Sequence, residues 1–83
     1  MTVIIHFVAD WAENICGPHR AEVATAAQQL GASVRECNVD LDPETAVAYG
    51  LPNVPAVAID GHPETLVVGA HPSGELVRLL ASA

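Results

Sequence analysis

Phe7-Val8-Ala9-Asp10-Trp11-Ala12-Glu13-Asn14-Ile15-Cys16-Gly17-Pro18-His19 is the stretch on which the fold turns. Just upstream, residues 2–8 form an apolar, β-branched run broken only by His6, as a strand buried on both faces requires. Downstream, residues 18–30 favour helix. Val23, Ala26, Ala27 and Leu30 share one face, Pro18 suits a first helical position and Gly31 suits a left-handed stop. Residues 9–15 between them have no clear period and read as a loop, so Cys16 is expected where the helix opens.

The rest of the chain extends this start. Residues 33–39 read as a second strand, and a helix between two strands implies a right-handed parallel βαβ unit. Asp42-Pro43 begins a short helix that Tyr49-Gly50 closes, and a third strand follows at residues 56–59. Asp60-Gly61 suggests a hairpin turn, lengthened by His62 and Pro63, into a strand near residues 65–68. Ser73 can cap a final helix that buries Leu76, Val77, Leu79 and Leu80. The expected order is β-α-β-α-β-β-α in one domain over residues 1–83, since so short a chain cannot close two cores.

Composition narrows the function. Hydrophobic residues make up 51% of the chain, with one Phe, one Tyr and one Trp, so the core is expected to consist mainly of Val, Ala, Leu and Ile. The formal charge is −7, from three arginines and no lysine against ten acids. That sign repels nucleic-acid backbones and anionic lipid, so neither nucleic acid nor membrane is an expected partner. No basic segment precedes the first apolar run, which is too short to span a bilayer, and a cytoplasmic location is expected. There Cys16 and Cys37 would stay reduced.

Cys16-Gly17-Pro18, Cys37-Asn38-Val39-Asp40, Tyr49-Gly50-Leu51 through Val54-Pro55, and Val68-Gly69-Ala70 occur in the order seen in thioredoxins and glutaredoxins. Together they resemble that family over nearly the whole chain. The resemblance implies a thioredoxin-like α/β fold, a three-layer sandwich of glutaredoxin size, with Pro55 cis. It also implies thiol-disulfide exchange with a protein thiol or disulfide partner, and no cofactor. Cys16 matches the first cysteine of the Cys-Gly-Pro-Cys motif, and His19 stands where the second belongs. A cysteine at a helix N-terminus faces unpaired N–H groups that favour the thiolate, the nucleophile in exchange. Without a local resolving thiol, an external thiol reductant would release the mixed disulfide, as in monothiol glutaredoxins. His19, three residues on, can support the thiolate. Trp11, Gly17, Pro18, Val54 and Pro55 are expected to shape the substrate groove. His6 and Glu36 occupy positions where the family often has a buried Asp and a Lys, and offer acid–base support.

Other readings stay open. The loop after Phe7 is long, and a second register puts Ala12-Glu13-Asn14-Ile15 where the redox motif belongs, with Cys16 as a packing residue inside the helix. Gly17 and Pro18 speak against it, because both weaken a helix interior. A rival to the exchange reading is a redox-inactive binding or assembly module of the same fold that keeps the groove without the chemistry. Cys37 is expected to be buried and inert, and His62 and His71 to be solvated loop histidines. Cys16-x-x-His19 is only half of a structural zinc set, so no metal is expected. Arg20 could serve a glutathione site, but residues 69–72 lack the Gly-Gly-x-Asp-like turn that glutaredoxins carry. Oligomeric state is left open.

Overall fold

The computed structural model describes residues 2–81. Its elements are β1 (Val3–Val8), a 3-10 turn (Asp10–Ala12), α1 (Glu13–Leu30), β2 (Ser33–Asn38), α2 (Pro43–Ala48), β3 (Ala56–Ile59), β4 (His62–Val68) and α3 (Ser73–Ala81). Apart from the short 3-10 turn this is the expected order. The four strands form one sheet in the order β2-β1-β3-β4. β1 pairs parallel with β2 and antiparallel with β3, and β4 extends the sheet antiparallel to β3.

The most apolar strand takes the centre, because a central strand has neither a free edge nor a wet face. Successive β1 side chains alternate between the sheet's two faces. Ile4 joins Val23, Ala26, Ala27, Val57, Leu76 and Leu80 in a cluster that ties the sheet to α1 and α3. Ile5 and Phe7 join Cys37, Ala56 and Ala58 in a second cluster, against which Tyr49 and Leu51 pack from the α2 side. The Phe7 and Tyr49 rings lie 5.4 Å apart. Helices therefore cover both faces of the sheet, the three layers expected.

Local chemistry explains most boundaries. Gly31 has φ of 67° and ends α1, while the Ala32 N–H donates to the Ala27 carbonyl at 2.8 Å in a Schellman-type stop. Asp42 accepts from the Thr45 N–H at 3.2 Å and its hydroxyl at 2.6 Å, capping α2.

Three boundaries differ from expectation. First, α1 begins at Glu13, so Cys16, Gly17 and Pro18 lie within it. Pro18 removes only the hydrogen bond to the Asn14 carbonyl near the helix start, where the loss is best tolerated. Second, His62 pairs directly with Ile59, leaving a tight Asp60-Gly61 turn with Gly61 at φ 84°. Pro63 fits because β4 is an edge strand. A register shift follows between Val57 and Ile59, where the Thr65 hydroxyl accepts from the Ile59 N–H at 2.8 Å. Third, the Pro72 carbonyl starts α3 by accepting from Glu75 and Leu76. The Ser73 N–H instead donates to Glu22 of α1 at 2.8 Å. Leu76 and Leu80 are buried, and Val77 and Leu79 are half-buried. No described helix is long and apolar enough to cross a membrane.

Candidate functional site

The first turn of α1, the segment before β3 and the β4–α3 loop meet at one end of the sheet. The Val54–Pro55 peptide bond is cis. Pro55 is buried, and its carbonyl accepts from the Gly69 N–H at 2.8 Å, joining that segment to the β4–α3 loop.

Ala12, Cys16, His19, Val23, Ala26 and Ala27 are all buried. Their spacing of three and four residues is one face of a helix, laid against the sheet. Cys16 belongs to that face. Its exposure is 0%, and it sits one turn inside α1 in a cluster with Phe7, Val8, Ala12, Val54 and Ala56. This corrects the expected position at the helix opening, and it is the placement of the second register. Burial pushes the Cys37 thiol up, and both cysteines are free.

His19 points inward as well, 3% exposed, and 1%-exposed His6 meets it with His6 Nε2 and His19 Nδ1 3.0 Å apart. The His71 backbone N–H donates to His19 Nε2 at 3.2 Å. Since Nε2 of His19 accepts, its proton must sit on Nδ1, which then donates to His6 Nε2. Both rings are therefore neutral with the proton on Nδ1. Burial, aided by His19, brings His6 down from 6.5 to about 4, and burial lowers His19 too.

The expected His6–Glu36 pair does not form. The two residues are register partners across β1 and β2, but each has another partner. Arg20 clamps Glu36 through Nε at 2.9 Å and a terminal nitrogen at 2.8 Å, and also holds Glu13. This clamp keeps the Glu36 carboxyl below the usual carboxylate range. Gly17 lies beside it, where an added Cβ would meet a Glu13 oxygen at 3.2 Å.

Of the expected groove residues, Pro18, Trp11 and Val54 line two separate hollows, whereas Pro55 is buried and Gly17 sits beside the Arg20 clamp. Trp11 does not cover Cys16. It is 67% exposed and lines a hollow of about 190 Å³ with Val39, Leu51, Asn53 and Val54. Pro18 lines a larger groove of about 490 Å³ with Ile15, His19, Glu22, Ala70 and His71, between α1 and the β4–α3 loop. His71 corrects the expectation of a solvated histidine: its Nε2–H donates to the Val68 carbonyl at 2.9 Å, and Nδ1 lies 3.4 Å from Glu75. His62 lies in β4 beside Glu64 and is exposed. Sequence reasoning missed Glu22 and His71 as loop anchors; the nearest signal was that Glu22 follows His19 at the next helical position on that side. Among the described residues, no group of three or more His, Cys, Asp or Glu side chains could hold a metal ion.

No family model matches the chain. A thioredoxin of Streptomyces clavuligerus is 32% identical over 82 residues, spanning 92% of this chain and 73% of that protein. The structure of a single-site mutant of a thioredoxin from Halobacterium salinarum NRC-1 matches with a TM-score of 0.80 and 32% identity, over 98% of this chain and 73% of that one. Chloroplastic thioredoxin z matches in fold, with a TM-score of 0.73 at 19% identity over 99% and 77% of the two chains.

Proposed function

This chain belongs to the thioredoxin family of thiol-disulfide oxidoreductases, and we propose that within it the domain works as a redox-inactive module that binds protein partners. The observation that carries this reading is the 0% exposure of Cys16. Exchange needs a thiolate that can reach the partner's sulfur in line, and a cysteine on the packed face of α1 offers no approach. The two hollows flanking the start of α1 remain open, with Trp11, Ile15, Pro18 and Val54 to contact a partner.

A second reading, monothiol exchange, draws on the family's chemistry. Local opening of the first turn of α1 would let the Cys16 thiolate attack a partner disulfide, forming a mixed disulfide and releasing one partner thiolate. A glutathione thiolate would then attack the Cys16 sulfur and release the second partner thiolate, and a second glutathione would free the Cys16 thiolate and leave as oxidised glutathione, since no cysteine stands at position 19. Iodoacetamide labelling, with glutathione-dependent reduction of hydroxyethyl disulfide, separates the two. The binding reading expects negligible labelling of Cys16 in the folded protein, full labelling in denaturant, and turnover no higher than that of Cys16→Ala. Rapid labelling of folded protein, with turnover abolished in Cys16→Ala, would overturn it in favour of exchange.

A further inference from the structure

Three histidines far apart in sequence form one hydrogen-bonded line from the centre of the sheet to the wall of the larger groove. His6 lies on β1, His19 on α1, and the His71 N–H in the β4–α3 loop, with successive separations of 3.0 and 3.2 Å. We propose that this line is a proton-operated latch: a proton taken up by either buried ring releases the β4–α3 loop from α1 and widens the groove of about 490 Å³ between them. The proposal does not depend on whether the domain binds partners or exchanges disulfides.

Protonation acts on the line through the two ring tautomers. His19 can serve both neighbours only with its proton on Nδ1 and an open lone pair on Nε2. A proton added to His19 Nε2 turns the acceptor for the His71 amide into a donor, leaving two N–H groups facing each other. A proton added to His6 Nε2 faces the His19 Nδ1–H in the same way. His19 must then move its proton to Nε2 to accept from His6, which again removes the acceptor for His71. Protonation at either ring thus reaches the same loop amide.

The surroundings leave the line sensitive to acid. Glu36 on β2 and Glu13 on α1 face His6, but Arg20 engages both carboxylates. Glu22 and His71 face His19, and one Glu22 oxygen is engaged by the Ser73 N–H at 2.8 Å. The loop has a joint for the movement at Gly69, whose φ of 105° a residue with a side chain rarely adopts. The Glu22–Ser73 contact is a built-in comparison, because it crosses the same interface without a histidine ring.

Nitrogen-detected NMR of the imidazoles, with amide hydrogen exchange, tests the latch in the intact protein. At pH 7 both His6 and His19 are expected in the Nδ1–H form. Between pH 7 and 4.5, protection of the His71 amide, corrected for intrinsic exchange, is expected to fall by about tenfold or more. Ser73 protection and the far-UV circular dichroism should change far less. Combining His6→Leu with His19→Gln keeps an acceptor for residue 71 and leaves neither buried ring to take up a proton, so His71 protection in that double variant should be flat with pH. An Nε2–H proton on either ring at pH 7, or flat His71 protection in the unmutated protein, overturns the proposal. So does loss of protection only together with global unfolding, or a pH dependence that survives in the double variant lacking both buried rings.

Discussion

A neutral imidazole in the middle of a sheet makes folding and proton binding compete. The unfolded His6 ring takes its proton at about 6.5 and the folded one at about 4. Between these values the unfolded state holds more protons, so His6's contribution is present in full above pH 6.5 and is lost as pH falls through about 4. A displacement of that size corresponds to about 3 kcal/mol. Urea unfolding is therefore expected to show a fall of about 2–3 kcal/mol between pH 7.5 and 4.5, and His6→Leu to show a shallower slope over that window. An equal slope in the variant would remove His6 as its source. Cys16 makes a second test at this scale. Cys16→Ser puts a hydroxyl among apolar neighbours and is expected to cost about 1–3 kcal/mol in the same assay, far more than an exposed substitution would.

α1 is the element on which the functional reading depends, and its first turn is the part of the sequence hardest to interpret. Cys-Gly-Pro is a familiar helix opening and pulls the expected start toward Pro18. The spacing of Ala12, Cys16, His19, Val23, Ala26 and Ala27 nevertheless describes a single packed face beginning earlier. The remaining element order is legible because Gly31, Asp42 and Asp60-Gly61 act through local chemistry. The histidine line is not, since only the topology brings residues 6, 19 and 71 together. The neighbouring strand register does foretell His6 opposite Glu36, but not that Arg20 takes the carboxylate. Two outcomes follow for this helix. Pro18→Ala restores an amide donor near Asn14 and is expected to stabilise the domain by about 1 kcal/mol in thermal or urea unfolding. Glu13, exposed at the first position of α1, lies three residues before buried Cys16. Glu13→Cys is therefore expected to form an intramolecular disulfide with Cys16 and to gain dithiothreitol-driven insulin reduction, an activity the proposed binding role does not give the unmutated protein. Mass spectrometry reads the disulfide, and turbidity reads the insulin reduction.

Charge acts on the molecule as a whole. Arg20, Arg35 and Arg78 each meet a carboxylate, so the three cationic side chains are committed within the domain against a net charge of −7. Added salt weakens these exposed pairs, but it also screens the larger repulsion among the excess acids. The melting temperature is expected to rise by a few degrees between low salt and 0.5 M NaCl, a stabilisation of roughly 1 kcal/mol or less. A fall would mean that the ion pairs outweigh the repulsion. The acidic surface also favours a cationic segment as the partner for the proposed binding role.

The two rims of the sheet bear on how the molecule meets others. β4 carries Pro63, which has no amide to offer an incoming strand, and β2 carries the charged pair Arg35 and Glu36. Neither rim is a good template for stacking copies side by side, so fibrillar growth by strand addition is opposed at both ends of the sheet. The end where Trp11 and the two hollows lie is the face left to the proposed partner, and a concentrated solution of the folded domain should remain free of thioflavin-binding aggregates.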